Sequence, residues 1–277
     1  MGSQYTNLSQ KNYDFLYRFL DATKANLFFA RGVLLVEGDA ENLLIPTLAK
    51  IIDRPLHRYG VSIVNVGSKA FNHFVEIFDR KDGELMGIKV SLITDMDVRP
   101  LEYPSDPKKP PKTEAEIENE KIANNQRISE LGNAEVKGFI SSTWTFEYEI
   151  ALSSLFREDF YRSLLWAEKI TTAKTGTPKE AKVDEVNIKV RSDFQAWQAT
   201  WKDDPRKDQK IAFEIYKNTM TDNDISKAVT AQVFAQSLEE KFRDKSKVDS
   251  LKTNLQSAPT LKYLLDAIYH VTEQRSP

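Results

Sequence analysis

Two short apolar runs of this sequence each end in carboxylate side chains. Residues 33–36 lead directly into Glu37, and residues 90–94 lead directly into Asp95. Continuous runs of this kind are typical of strands that are covered on both faces. Carboxylate oxygens are the ligands that hard divalent cations such as Mg²⁺ prefer. Two strands that end in clustered acids therefore predict a divalent-metal site and, with it, chemistry on phosphate esters.

Asp95 and Asp97 form the more specific of the two acidic clusters. In an extended chain both side chains lie on one side, with Met96 on the other. Two carboxylates this close repel each other, which raises a pKa unless a cation lies between them. Metal binding by this pair is therefore favoured over a purely structural role.

The first cluster contains three acids whose roles differ. We expect Glu37 to be a ligand, with an acid at a helix N-terminus as the alternative. Asp39 is equally suited to capping a helix that begins near Ala40 and to touching a metal. Glu41 either shares the site or is an ordinary acid in the first turn of that helix.

Strand-like and helical patterns alternate through the first half of the chain. The predicted strands are 33–36, 61–66, 88–94 and 136–141, and the predicted helices between and after them are 40–52, 71–78, 113–131 and 146–156. This alternation predicts an α/β fold with a parallel sheet and right-handed crossovers. Ligands bind beyond the carboxyl ends of such strands, where Glu37, Asp95 and Asp97 are expected.

The remaining segments suggest three regions. We expect lead-in helices over 1–30, an α/β domain over 31–156 and a mainly helical region over 157–277. A Pro/Lys-rich insertion is expected over 98–131, with Thr113 and Glu116 at the spacing of a helix capping box. The predicted late helices are 157–168, 207–220, 226–243 and 260–273, with a polar loop at 171–185 and one strand-like alternation at Val186, Ile188 and Val190.

Composition limits the possible chemistry. The 277 residues include no cysteine and three widely spaced histidines, so any metal must be held mainly by oxygen, which favours Mg²⁺ or Mn²⁺. The chain has no segment with the Gly-x-x-x-x-Gly-Lys-Ser/Thr spacing, so no ATP site of that type is predicted. Without an apolar leader or a run long enough for a membrane span, a cytoplasmic location is expected.

Taken together, these residues resemble a Toprim domain, the metal-binding module of topoisomerases, DnaG-type primases and certain nucleases. The Toprim pattern is a strand-end glutamate followed by glycine, here Glu37-Gly38, and a later Asp-x-Asp, here 95–97. The likeness is greatest to the OLD (overcoming lysogenization defect) nucleases. The segments that carry it are LFFA at 27–30, VEGDAE at 36–41, TDMD at 94–97, TFEYE at 145–149, and Ser226-Lys227 with FAQ at 234–236.

That resemblance implies a metal-dependent DNA endonuclease that cleaves phosphodiester bonds with two Mg²⁺ or Mn²⁺ ions. The implied catalytic residues are Glu37, Asp95, Asp97 and Lys227, and the implied metal ligands are Glu37, Glu41, Asp95, Asp97 and Glu147. It also implies that the chain is the C-terminal nuclease part of a longer protein whose N-terminal part is an ABC-type ATPase. DNA is the implied partner, a homodimer is possible, and a role in phage defence rests on family analogy alone.

Spacing alone gives a different expectation for the late residues. Glu147 and Glu149 are expected to be exposed to solvent, and a lysine such as Lys227 on an amphipathic helix is usually solvated. Two other functions also stay open. Residues 93–98 resemble the first motif of haloacid-dehalogenase-type phosphatases, in which the first Asp is a nucleophile. The region could instead be a non-catalytic module for DNA binding or assembly.

Overall fold

The computed structural model describes residues 5–19, 27–67, 71–78, 80–104, 110–171, 181–219, 225–244 and 246–273. Within these residues, four parallel strands form one sheet: β1 (Gly32–Val36), β2 (Val61–Asn65), β3 (Lys89–Thr94) and β4 (Val136–Ile140). Their spatial order is β2-β1-β3-β4, so β1 and β3 are the central neighbours. The predicted α/β fold with a parallel sheet is confirmed.

Helices cover both faces of this sheet. Before β4 they are α1 (Gln10–Phe19), α2 (Asp39–Ile51), α3 (Leu56–Tyr59), α4 (Phe71–Val75) and α5 (Glu114–Ser129). After β4 they are α6 (Phe146–Leu152), α7 (Arg157–Thr171), α8 (Ala181–Thr200), α9 (Lys207–Lys217), α10 (Lys227–Arg243), α11 (Val248–Gln256) and α12 (Lys262–Thr272), with a short 3₁₀ turn at Pro259–Leu261. No helix in the described segments is both long and apolar enough to cross a membrane.

Strand β1 shows why the early apolar run becomes a central strand. All five of its residues are buried. Leu34 and Val36 face one core, built with α2, α6, α7, α10 and α12, whereas Val33 and Leu35 face a second core that includes Phe74. Because alternate side chains of a strand point to opposite faces, only a run that is apolar at every position can fill both cores.

One helix boundary was predicted in detail. Thr113 is the N-cap of α5: its side chain accepts from the Glu116 backbone N–H, and the Glu116 side chain accepts from the Thr113 backbone N–H at 2.7 Å. The predicted capping box is confirmed, because both partners are local in sequence.

The strand-like alternation at 186–190 was misleading. These residues lie in α8, where Val186 and Val190 are buried and Ile188 is 66% exposed. Residues four apart share one face of a helix, so the two buried valines satisfy a helical pattern as well as a strand pattern. The predicted polar loop at 171–185 is wrong at its end, since α8 begins at Ala181, and its residues 172–180 lie outside the described part of the chain.

Helix α12 returns from the far end of the chain to the sheet. The Ser91 hydroxyl of β3 donates to the Ala267 carbonyl at 2.9 Å, and His270 Nε2 donates to the Glu135 carbonyl, just before β4, at 2.9 Å. Further along the helix, Val271 reaches the start of β1, where a Cβ on Gly32 would lie 2.8 Å from the Val271 carbonyl oxygen. The helix therefore runs antiparallel to the strands. The division at residue 156 stays a prediction.

Candidate functional site

The carboxyl ends of β1 and β3 bring two acids together. Glu37 directly follows β1, and Asp95 directly follows β3. One Glu37 carboxylate oxygen accepts from the Thr94 hydroxyl and, at 3.4 Å, from the Asp95 backbone N–H. These two acids are thus neighbours because their strands are neighbours.

Glu41 adds a third carboxylate from the first turn of α2. Its side chain is only 7% exposed. A Cβ on Gly38 would lie 3.1 Å from Glu41 Oε2, tighter than an ordinary contact. The glycine after Glu37 therefore leaves room for the carboxylate of Glu41.

Asp39 does not cap this helix, and that interpretation of it was wrong. The helix begins at Asp39 itself, and Gly38 occupies the N-cap position without a side-chain hydrogen bond. Asp39 is exposed and accepts from the Asn65 side-chain amide at 2.7 Å. The structure turns this carboxylate toward the end of β2.

Helix α6 brings its N-terminus to Asp95. The Phe146 backbone N–H, which has no partner inside the helix, donates to Asp95 Oδ1 at 2.8 Å. The helix cap is Thr145, whose hydroxyl accepts from the Tyr148 N–H at 3.4 Å. Asp95 is thus held from the protein side by an oriented backbone donor.

The same helix places Glu147 opposite Lys227. The Lys227 Nζ lies 3.1 Å from Glu147 Oε1, and the Lys227 side chain is about half exposed. Glu147 itself is 6% exposed, so the exposure expected from spacing was wrong. Lys227 is the first residue of α10, held there by the Ser226 cap. Lys227 and Glu147 are far apart in sequence, so their contact depends on the tertiary structure.

Glu149 is also buried, which again corrects the expectation of solvent exposure. Its carboxylate accepts from the backbone N–H and hydroxyl of Thr143, and from the Ser142 hydroxyl at 3.0 Å. Burial raises the pKa of Glu149, and these hydrogen bonds oppose the rise. The carboxylate holds the loop before α6 and turns away from the other acids.

Asp97 departs from the predicted geometry. Strand β3 ends at Thr94, and Asp97 has a left-handed backbone with φ 57°, so the chain is not extended through this residue. Its N–H donates to the Trp144 carbonyl at 3.0 Å, while Met96 is buried and held by the Ser141 hydroxyl at 2.8 Å. Asp97 is exposed at the edge of the site. Aspartate tolerates the left-handed backbone conformation better than most residues.

Burial and the neighbouring acids raise the pKa of Glu41 and the pKa of Asp95. Burial raises the pKa of Glu41 to about 7, and the charges of Glu147 and Glu37 add to the rise, whereas Lys227 opposes it. Burial likewise raises the pKa of Asp95, with further contributions from the neighbouring acids, Glu147 first. A nearby cation reverses such shifts.

The donor set suits a hard divalent cation in its chemistry, since every candidate ligand is a carboxylate. Within the described residues, no three acidic or histidine side chains are already grouped as a metal site. The hydrogen bonds above supply the physical reason, because Glu37, Asp95 and Glu147 each face a protein donor. A cation would require these side chains to turn toward a common point.

Several residues that shape the site were not predicted. They are Thr94 against Glu37, Ser141 and Asn124 on Met96, and the buried Tyr263, whose pKa is raised by burial and by the charges of the acids. Thr94 adjoins the Asp-x-Asp motif and could have been singled out by position. The others come from distant parts of the chain and carry no local signal.

Residues 28–97 match the family model described as "Overcoming lysogenization defect protein-like, TOPRIM domain". This match confirms the predicted OLD-type Toprim resemblance for the segment that contains Glu37, Glu41, Asp95 and Asp97. A Toprim domain of this type is a nuclease-like, metal-binding fold, and such domains typically bind divalent metals. No curated protein matches this chain in sequence.

Solved structures that align with this chain come from two bacteria. One is the C-terminal region of the Xanthomonas campestris pv. campestris OLD protein, with 19% identity, a TM-score of 0.44, and 90% of this chain and 95% of that chain covered. The other is the C-terminal region of the Burkholderia pseudomallei OLD protein, with 20% identity, a TM-score of 0.44, and 88% and 100% covered.

Proposed function

We propose that this chain is an Mg²⁺- or Mn²⁺-dependent endonuclease that cleaves phosphodiester bonds in DNA. The observation that carries the proposal is the convergence of acids at one sheet edge. Glu37 and Asp95 meet at adjacent strand ends, while Glu41 and Glu147 lie within electrostatic range of Asp95. Burying several ionised carboxylates close together raises the free energy of the folded state unless a cation offsets their charge.

In this proposal, Glu37, Asp95 and Asp97 would hold divalent ions, and Glu41 and Glu147 would complete the site. Two bound ions supply an activated water at neutral pH and stabilise the leaving 3′ oxygen. The chain's own donors orient the ligands: the Phe146 N–H fixes Asp95, and the Thr94 hydroxyl fixes Glu37.

Lys227 would neutralise negative charge on the phosphate that is being cleaved. Its ammonium group is already at the acids, paired with Glu147, and its side chain is about half exposed. It can therefore exchange Glu147 for a substrate phosphate without leaving the site.

The partners follow from the resemblance and stay part of the proposal. DNA is the substrate, and an N-terminal ABC-type ATPase belongs to the same protein. A homodimer, a cytoplasmic location and a role in phage defence are proposed with it. In the insertion, Arg99 stacks over the Tyr103 ring at 4.1 Å and Lys112 pairs with Glu120 at 2.6 Å, and we propose that these cations contact the DNA backbone.

Plasmid cleavage tests this function. Supercoiled plasmid is incubated with wild-type protein in Mg²⁺, Mn²⁺, Ca²⁺ or EDTA, and with the Asp95→Ala and Asp266→Ala variants. Asp266 is a surface acid of α12 that pairs with Lys262 at 2.5 Å, so it is a matched control. We expect nicking or linearisation in Mg²⁺ or Mn²⁺ that disappears in EDTA and in Asp95→Ala, and persists in Asp266→Ala.

Two outcomes would contradict the proposal in different ways. Hydrolysis of a small phosphomonoester without plasmid cleavage would point to a haloacid-dehalogenase-type phosphatase. DNA binding without cleavage in any divalent metal would point to a binding or assembly module. Full activity of a folded Asp95→Ala variant would remove Asp95 from the site.

A further inference from the structure

Tyr263 is a buried tyrosine whose hydroxyl group has no use in the mechanism above. The residue is 9% exposed and lies in the first turn of α12. Its hydroxyl oxygen is buried and has no hydrogen-bond partner among the residues that the structure describes. A buried hydroxyl without a partner lowers stability, so its presence calls for a functional explanation.

The position of α12 on the sheet aims this hydroxyl at the acids. Val271 lies at the start of β1, beside Gly32. The eight residues from Val271 back to Tyr263 span about 12 Å of helix, and the four from Gly32 to Val36 span about 13 Å of strand. Tyr263 is therefore level with the carboxyl end of β1.

The direction of the Tyr263 side chain also favours an approach of its hydroxyl to the acids. Side chains of a helix tilt toward its N-terminus, which for α12 is the end of the sheet that carries the acids. Tyr263 packs in the same core as Val36 of β1 and Tyr148 of α6. The phenol thus points from beneath the sheet edge toward the side chains that follow the strands.

Among charged groups, acids at this edge of the sheet act most strongly on the Tyr263 hydroxyl. Burial raises the pKa of Tyr263 well above its usual value, and the acids that raise it further are Asp95 first, then Glu149, Glu41 and Glu147. The phenol therefore stays protonated and keeps its proton for donation. Glu149 is already held by Thr143 and Ser142, which leaves Asp95 as the strongest of the remaining acceptors.

We propose that Tyr263 is a positioning residue whose hydroxyl donates a hydrogen bond to the Asp95 carboxylate when that carboxylate turns to hold a divalent cation. This inference rests on the proposed function. Asp95 then has two donors on its protein side, the Phe146 N–H and the phenol, and keeps its outer side for the metal. Donors behind a ligating carboxylate fix its orientation and strengthen metal binding.

Direct measurement of Mn²⁺ binding tests the inference without relying on activity. Wild-type protein, Tyr263→Phe and Tyr269→Phe are titrated with Mn²⁺ by calorimetry or by electron paramagnetic resonance. Tyr269 is the matched control, because it loses the same hydroxyl from the same helix, where its partner is Gln256 at 2.8 Å. We expect Mn²⁺ to bind Tyr263→Phe about 10-fold more weakly than wild type, and Tyr269→Phe to bind it as wild type does.

Thermal unfolding in EDTA separates positioning from packing. Because the hydroxyl has no partner without metal, Tyr263→Phe should unfold at the wild-type temperature or above it. A lower unfolding temperature than that of Tyr269→Phe would mean that the hydroxyl has a partner in the metal-free protein, and the inference would be wrong.

The remaining outcomes distinguish the two proposals. If wild type and Tyr263→Phe bind Mn²⁺ equally and Asp95→Asn does not bind it, the metal site stands and Tyr263 has no part in it. If wild type shows no Mn²⁺ binding that depends on Asp95, the proposed function and the inference both fail.

Discussion

The two ends of the sheet differ in the surroundings of their buried acids. At the carboxyl ends, Glu41 and Asp95 are buried and feel the negative charges of Glu37 and Glu147. At the amino ends, Glu135 accepts twice from the Gly87 N–H, at 2.9 and 3.1 Å, and its carbonyl accepts from His270. Burial is shared by both ends, so burial alone does not mark a functional site. What marks the candidate site is that several acids lie close enough to raise the pKa of Glu41 and of Asp95, with Lys227 as the cation paired with Glu147.

Helix α12 contacts both ends and makes the comparison measurable. Its N-terminal turn carries the buried Tyr263 hydroxyl, which has no hydrogen-bond partner within the described segments, and its last turn brings His270 to the paired end. Substitutions at the first end should change cleavage and metal binding, whereas those at the second should change only stability.

After the loss of cleavage expected for Asp95→Ala, the largest effect is expected from Lys227→Met, which removes the cation at the acidic end and keeps the side-chain volume. DNA cleavage should fall roughly 10²- to 10³-fold, the usual loss when one charge-stabilising donor is removed. The matched control is Lys241→Met on the same helix, where the lysine pairs with Asp159. Equal cleavage by the Lys227 and Lys241 variants would show that Lys227 is an ordinary solvated lysine.

We expect Glu41 to increase the free energy of unfolding as the pH falls. Because its pKa is about 7 in the folded protein and 4.5 ordinarily, the folded state binds more protons between these values. Its contribution to stability in EDTA should therefore grow as the pH falls from 7 to 4.5, by up to about 3 kcal/mol.

Glu41→Gln should abolish this contribution, which denaturant unfolding of both proteins across pH 4.5 to 8 would measure. The difference between wild type and variant should therefore change steadily with pH. A pH-independent difference would mean that burial and the neighbouring acids do not raise the pKa of Glu41.

A smaller loss, in stability alone, is expected from Glu135→Ala at the paired end. The exposed Gly87 N–H would lose the charged acceptor that the buried Glu135 supplies, and a hydrogen bond to a charged group contributes about 1.5–3 kcal/mol. Cleavage per folded molecule should stay within a few-fold of wild type. Glu130→Ala, an exposed acid near the end of α5, is the control in chemical denaturation, and equal stability of the two variants would contradict the comparison.

The smallest effect is expected from His270, with a sign opposite to that of Glu41. Burial, with help from Lys137 and Lys89, lowers the pKa of His270 from 6.5 to about 4. The unfolded chain then binds more protons between these values, so this contribution is present above pH 6.5 and is lost as the pH falls toward 4. Because solvent screens part of the shift, the loss should be about 1 kcal/mol.

His270→Gln should remove this acid sensitivity, measured by unfolding in EDTA between pH 4 and 7. The neutral amide can still donate to the Glu135 carbonyl, so the comparison isolates the titration. If the variant and wild type lose stability in parallel over this range, His270 is not the responsible group.

Much of the sheet could be predicted because its signals are local. The apolar runs before Glu37 and Asp95 form neighbouring strands, and Thr113 and Glu116 form their capping box within one turn. The alternation at 186–190 failed because valines four apart, at 186 and 190, suit a buried helix face as well as a strand. The short helices α3 and α11 escaped prediction, since each offers only one or two buried residues to a pattern.

In the candidate site, too, some features could be predicted from the sequence and others could not. Glu37 and Asp95 could be placed from strand ends alone, and Gly38 from its place in the motif. The extended geometry expected for Asp97 failed because contacts with Trp144 turn the backbone there, and Trp144 is remote in sequence. The burial of Glu147 and Glu149 depends on helices packed around α6, which no local pattern describes.

The sequence by itself determined the strands, their order of appearance and the acids that end them, because hydrophobic periodicity and strand-end chemistry act over a few residues. Only the tertiary structure decided which distant groups join those acids. Lys227 reaches Glu147 through the packing of α10, and α12 places Tyr263 in the same core as Val36 at the end of β1. Burial and like-charge crowding arise from that packing, and they separate a functional edge of the sheet from a merely acidic one.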